Sequence, residues 1–196
     1  MQISLYPVYE TQLIQPYFFS KNDLVSNFHL WQEEIIPFLF ITGLAGSGKT
    51  TLGQQLALQY QCPLISLDKI KCFEHPQHGL IDATQVNKYF FYNKLFEFIQ
   101  CELKEYQSRC IIEGIQCLFF DEKVLFQYPL LLRRTSLFRS SWNATQRIFR
   151  TKSYKYIPQV WKDNFFLLSH QRKLISLYTH TKGSRINLIT YSGNIF

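Results

Sequence analysis

The chain has no apolar run long enough to cross a membrane. Its longest nearly apolar stretch, residues 35–46, contains a proline and falls far short of the roughly 20 residues a spanning helix needs. The amino-terminal Met-Gln-Ile-Ser-Leu-Tyr-Pro lacks the basic start and apolar run of a secretory signal, so a cytoplasmic protein is expected. Internal repeats, low-complexity tracts and Gly/Ser-rich linkers are also missing, which leaves no obvious seam for dividing the chain. Five cysteines (Cys62, Cys72, Cys101, Cys110, Cys117) are odd in number and widely spaced, with no Cys-x-x-Cys pair and no histidine cluster at ligand spacing. Reduced, mostly buried thiols are therefore expected, and no metal site is read from them.

The chain has ample material for a packed core: 46% of its 196 residues are hydrophobic and 17% aromatic, which excludes wholesale disorder and fits one domain. Its 21 Lys+Arg against 14 Asp+Glu give a formal charge of +7. That excess suits anionic partners such as nucleotides, nucleic acid or phosphorylated metabolites, without choosing among them.

Residues 1–37 read as an N-terminal extension. It comprises a short strand at 3–6 and a helix at 23–34 with Leu24, Phe28 and Trp31 on one face, Ser20 as candidate cap and Pro37 as its end. Residues 38–196 alternate apolar runs with longer amphipathic stretches, the pattern of a parallel sheet covered by helices. Strands are predicted at 38–42, 63–67, 110–113, 130–132 and 185–190, and helices at 50–61, 84–106, 141–150 and 164–178. In the long helix, Val86, Tyr89, Phe90, Leu95, Phe98, Ile99 and Leu103 form the predicted apolar face. The fold class is α/β, with five parallel strands.

Gly43-Leu44-Ala45-Gly46-Ser47-Gly48-Lys49-Thr50 matches G-x-x-x-x-G-K-[ST] at every fixed position, between a predicted strand and a predicted helix. Glycines let successive backbone N–H groups converge on phosphate oxygens, and the helix N-terminus adds partial positive charge. Lys49 is expected to reach the β- and γ-phosphates, and the Thr50 hydroxyl to ligate Mg²⁺. The phosphate cradle is assigned to Gly43, Ala45, Gly46, Ser47, Gly48, Lys49, Thr50 and Thr51.

In this loop and its setting the sequence resembles the P-loop NTPase superfamily, and within it the small P-loop kinases: nucleoside kinases, adenylate-kinase-like enzymes and the zeta-toxin group. The resemblance spans about residues 38–190 and implies a three-layer P-loop fold with a five-stranded parallel sheet flanked by helices, with ATP and Mg²⁺ as cofactors. Two acids fall at predicted strand ends, where open α/β sheets bind ligands. Asp68 follows the second strand, and the resemblance implies that it orients or deprotonates an acceptor hydroxyl; the alternative is a cap for a helix starting near Lys69. Glu113 ends the third strand, where a metal-associated acid is expected, although the common pattern has Asp there; the alternative is a structural ion pair.

Seven basic residues and no acid lie between Arg133 and Lys155: Arg133, Arg134, Arg139, Arg147, Arg150, Lys152 and Lys155. That segment carries as much positive charge as the whole chain has net. It looks like the lid of small P-loop kinases, with Arg147 and Arg139 expected to stabilise the transferring group and Arg150 to bind nucleotide. Glu74, His75, His78 and Asp82 lie in the region that receives the acceptor, ranked below Asp68. The expected function is transfer of the γ-phosphoryl of ATP to a small-molecule acceptor such as a nucleoside, nucleotide or sugar nucleotide. The alternatives are a polynucleotide 5′-hydroxyl kinase, with aromatics beside basic residues holding a strand, and a non-catalytic nucleotide-binding regulator.

Overall fold

The computed structural model describes residues 28–104, 109–133, 135–151, 154–180 and 188–191. In chain order these form α1 (Phe28–Gln32), β1 (Phe38–Gly43), α2 (Lys49–Tyr60), β2 (Leu64–Ser66), β3 (Cys72–His75), β4 (Gly79–Asp82), α3 (Lys88–Lys104), β5 (Cys110–Glu113), α4 (Glu122–Gln127), β6 (Leu130–Arg133), α5 (Leu137–Arg150), α6 (Ile157–His180) and β7 (Leu188–Tyr191). The protein is α/β. Five strands in the order β2-β5-β1-β6-β7 are joined by four pairings, all parallel.

β1 is buried along its whole length because both of its faces are covered. Alternation along the strand divides its side chains between two cores. Phe38 and Phe40 join Cys110 and Ile112 of β5, Leu130 of β6 and the inner face of α3; Leu39 and Ile41 join Ile111, Leu131, and Leu52, Leu56 and Ala57 of α2. The first core is dominated by aromatic rings packed edge-on or tilted. Phe96 lies 5.1 to 5.9 Å from Phe38, Phe40, Phe120 and Tyr128.

α3 begins at Lys88, four residues later than the periodicity predicts. Asp82 accepts from the Thr84 N–H and hydroxyl at 2.7 Å and closes a turn, and Asn87 Oδ1 accepts from the Tyr89 N–H at 2.8 Å as the helix cap. Phe91, Tyr92, Leu95, Phe96, Ile99 and Leu103 are its buried residues, while Tyr89 and Phe90 are exposed. Adjacent aromatics here made the sequence pattern ambiguous by about one residue, some 100° of helix rotation.

The region between β2 and α3, where no element is predicted, holds the β3–β4 hairpin, turned through residues 76–78 with His78 N–H on His75 O at 3.2 Å. α5 begins at Leu137 behind Ser136, whose hydroxyl accepts from Arg139 N–H at 3.1 Å, and α6 is longer at both ends than predicted. The predicted strand at 3–6, Ser20, residues 23–27 of the predicted helix, and residues 185–187 of the last strand lie outside the described residues.

At the end of the sheet opposite the glycine loop, Trp31 of α1 is fully buried against the α2 core. Arg109 fastens it there: its guanidinium donates to Gln32 O at 2.6 Å and Tyr60 O at 3.0 Å, pairs with Glu34 at 3.1 Å and covers the Trp31 and Tyr60 rings. All five cysteines are free thiols, and burial raises the pKa of Cys62 to about 11 and pushes those of Cys110 and Cys117 well up as well. Among the described residues no helix is long and apolar enough to cross a membrane.

Phe96→Ala is expected to cost about 3–5 kcal/mol in urea unfolding, because it removes the ring that four others pack upon. Leu80→Ala, at an exposed hairpin position, is expected to stay within about 0.5 kcal/mol of the parent.

Candidate functional site

The sheet order locates the crevice before any side chain is considered. The connection after β1 leaves toward β2, on one side, and that after the adjacent β6 leaves toward β7, on the other. Such a divergence opens a crevice beyond the strand carboxyl ends. The segment Gly43–Lys49 fills its floor, and β6 ends beside it with Arg133 paired in register with Gly43.

The loop cannot carry side chains where its neighbours approach. A Cβ on Gly43 would sit 2.7 Å from Arg133 O and 2.8 Å from Ser47 Oγ; one on Gly46 would strike the backbone of α5 at Ser140 O and lie 2.8 Å from Ala144 N. Gly46 and Gly48 also hold left-handed φ of 80° and 88°, which disfavour any other residue. Gly48 is the cap residue of α2 and offers no side-chain acceptor. The amides of Lys49, Thr50 and Thr51 precede the first helical bond, from Leu52 N–H to Gly48 O at 3.0 Å, so a phosphate oxygen is a natural acceptor for them.

Lys49 is buried, and its ammonium donates to Leu44 O at 3.0 Å. Burial holds its pKa below the ordinary lysine range; Glu113 and Asp68 pull it back up, and Arg147 pushes it down. Glu113 is fully buried at the end of β5. Its Oε1 accepts from Ser66 Oγ at 2.5 Å and from Thr50 Oγ1 at 3.1 Å, while Oε2 has no partner among the described residues. Thr42 Oγ1 and Ser47 Oγ are buried beside the loop in the same condition. Three buried polar oxygens around one glycine loop thus lack, among the described residues, the partners that buried polar groups ordinarily have. Asp68 is exposed in a short 3₁₀ turn after β2, in electrostatic reach of Lys49, Tyr92 and Cys117.

α5 and α6 roof the loop. Asn164 of α6, fully buried, reads the Ala45 peptide on both sides: Oδ1 accepts from Ala45 N–H at 2.8 Å, and Nδ2 donates to Ala45 O and to Ser141 Oγ, each at 3.1 Å. Asn143 Nδ2 donates to Gly46 O at 3.2 Å, and buried Arg133 donates from Nε to Ser47 O at 3.3 Å. Sequence reasoning missed Asn164, Asn143 and Ser66, and counted Arg133 only as part of a basic cluster. A polar residue inside the apolar pattern of a helix was the available signal for Asn164.

The predicted residues divide accordingly. Gly43, Ala45, Gly46, Ser47, Gly48, Lys49, Thr50 and Glu113 meet at one place, with Thr51 exposed on the first turn of α2. Arg139, Asn143, Arg147 and Arg150 follow one another at spacings of four, four and three residues and so share one flank of α5; the three arginines are exposed, and Arg147 acts electrostatically on Lys49. Arg134 and Lys152 lie outside the described residues.

The hairpin carries a separate histidine pair. His75 is buried with its Nε2 3.8 Å from Glu97 and its ring 4.8 Å from that of His78. Its Nδ1 accepts from the Gln77 N–H at 3.2 Å. Glu74 and His78 are exposed, and Asp82 is held by Thr84.

No protein-family model matches the chain, and no curated protein matches it in sequence. Among solved structures it is similar to one titled as an uncharacterized protein from Eubacterium ventriosum ATCC 27560. The two are 16% identical over 80% of this chain and 89% of that one, with a TM-score of 0.43. At that level the likeness carries no argument about chemistry.

Asn164→Ala strips partners from a buried amide, a carbonyl and a hydroxyl at once, so a loss of about 1–3 kcal/mol is expected in urea unfolding. Asn164→Asp retains only the acceptor to Ala45 N–H and is expected to be intermediate.

Burial first, then His78 and Lys94, lower the pKa of His75 below 6.5, with Glu97 opposing. The unfolded chain then binds the proton first, so stability contributed here is complete above about pH 6.5 and is lost as pH falls through the lowered folded value. His75→Gln is expected to flatten the decline in Tm between about pH 7 and 5.

Proposed function

We propose that this protein is a phosphotransferase of the small P-loop kinase type, moving the γ-phosphoryl group of ATP onto a hydroxyl of a small molecule such as a nucleoside, nucleotide or sugar nucleotide. The observation that carries the reading is the glycine loop between a buried parallel strand and a helix, with Lys49 at its mouth and Glu113 bonded to Thr50 from the neighbouring strand. In a three-layer P-loop fold these groups lie together for one purpose, which is to hold and polarise a polyphosphate.

The loop amides and the start of α2 bind phosphate oxygens. Lys49 gives up its contact with Leu44 O for the β- and γ-phosphates, and their negative charge restores the pKa that burial lowers. Arg147, on the roof, neutralises charge as the phosphoryl group moves. Asp68 accepts the proton of the acceptor hydroxyl, its exposure leaving it open to a substrate arriving over the hairpin.

Mg²⁺ fits the site on its own chemistry: a buried carboxylate with one oxygen unpartnered, joined at 3.1 Å to a threonine hydroxyl, supplies the few hard oxygen donors this ion takes from protein. Thr50 and Glu113 would hold it, Glu113 directly or through water. When bound, the ion withdraws charge from the phosphates. No group of three His, Cys, Asp or Glu residues among the described ones forms a denser metal site.

The test is incubation with γ-labelled ATP and Mg²⁺ against nucleosides, nucleotides, sugar nucleotides and 5′-hydroxyl oligonucleotides. A labelled acceptor is expected. Lys49→Ala should abolish transfer and weaken nucleotide binding, and Asp68→Asn should lower kcat by about 10²–10⁴ while leaving nucleotide affinity near that of the parent. Unchanged ATP affinity in Lys49→Ala would overturn the phosphate-loop reading. Tight ATP binding without transfer to any acceptor would replace the enzyme with a nucleotide-binding regulator.

A further inference from the structure

α5 is built with its polarity inverted. The residues it buries are Ser140, Ser141, Ala144 and Thr145, and those it leaves in water include Phe138, Trp142 and Phe149, at 67%, 48% and 51% exposure. A helix that only needed to be soluble would bury those rings and expose the serines. Close approach to Gly46 explains the small residues turned inward, but not three large rings left in water, and exposed rings of this kind are expected where a surface has another use.

The exposed rings are ordered relative to one another. Phe138 and Trp142 are parallel to within 4° with centroids 6.4 Å apart. Trp161 of α6 supports Phe138 edge-on at 5.9 Å and is itself anchored by Nε1 donating to Thr145 Oγ1 at 3.1 Å. Phe149 continues the stripe and meets Tyr154 at 5.4 Å, and the Lys155 ammonium lies 5.1 Å from the centre of the Tyr156 ring. Phe138 and Phe149 are eleven residues apart, close to three turns, so they share a side of the helix about 16 Å from end to end. Arg139 and Arg150 have the same spacing and form a second stripe beside the first, exposed like it.

We propose that this outward face of α5, with the short turn Tyr154–Tyr156, binds single-stranded nucleic acid. The rings stack bases, and Arg139, Arg150 and Lys155 hold phosphates. Charge complementarity selects a polyanion, since the segment Arg133–Lys155 has seven basic residues and no acid. Exposed flat rings interleaved with cations are the elements of a single-strand groove. Arg139 and Arg150 lie on the flank of α5 that also carries Asn143 and Arg147, and the rings on the flank beside it; the inference needs only exposed rings and cations, so it does not depend on phosphoryl transfer.

The test is fluorescence anisotropy of the full chain with a fluorescein-labelled deoxythymidylate dodecamer, without ATP or Mg²⁺, over a salt titration. Binding is expected, weakened about fivefold to a hundredfold by Trp142→Ala or Phe138→Ala. Arg150→Gln should reduce the slope of log affinity against log salt by about one phosphate's worth. Leu80→Ala should bind like the parent, and circular dichroism should show all variants folded. No binding at low salt, or equal affinity in parent and the Trp142/Phe138 double variant, would overturn the proposal. So would preferential binding to phosphatidylserine vesicles that the oligonucleotide does not compete away. With ATP absent, none of these outcomes depends on whether the protein transfers phosphate.

Discussion

Close backbone approach around Gly43 and Gly46 is the constraint on which the rest of the site depends. The end of β6 closes on Gly43 and the α5 backbone closes on Gly46, so the connection from β1 to α2 is pressed between a strand end and a helix. No side chain fits, and the loop's peptide groups become its chemically available surface. That is the property an anion cradle needs, because backbone amides are donors that neither titrate nor rotate away. The roof must then satisfy the peptide groups the loop cannot pair itself. Asn164 and Asn143 do so with neutral amides, adding no charge to a place where charge already crowds.

The electrostatics follow from burial. An ammonium, a carboxylate and a guanidinium, all from buried residues, crowd a small volume around the loop, in Lys49, Glu113 and Arg133. A buried charge is costly unless paired or strongly hydrogen-bonded. Glu113 is met by two hydroxyls on one oxygen only, and Lys49 by a single carbonyl. The arrangement is therefore incompletely compensated, and a ligand bringing both negative charge and a hard cation would complete it.

α5 serves two environments through two sides. Its small residues allow the close approach to the loop that Gly46 requires, and the Asn143–Arg147 edge faces the site. Its bulky residues, excluded from that contact, are exposed, and so are Arg139, Arg147 and Arg150. The basic cluster is thus divided between a buried clamp in Arg133 and the exposed arginines of α5, Arg139, Arg147 and Arg150.

Much of the scaffold was legible from the chain. Gly43 to Thr50 announces its turn because glycines at that spacing, ahead of Lys-Thr and between an apolar run and a helical one, leave the backbone little choice but a tight loop. Uninterrupted β-prone runs at 38–42 and 110–113 can hardly be anything but buried strands. Asp68 and Glu113 stood out because acids directly after such runs must sit at sheet ends. The aromatic face of α3 was misjudged because neighbouring phenylalanines leave the phase of a helix undetermined, and the β3–β4 hairpin was missed because its strands are only four residues each. The sequence by itself determined the glycine loop and its flanking strand and helix. Only the tertiary structure decided that Asn164, far along the chain, holds Ala45, that Ser66 and Thr50 share one oxygen of Glu113, and that α5 turns serines inward and aromatics out. These depend on which elements come within a hydrogen bond of one another, and strand order and helix rotation set that where local periodicity cannot.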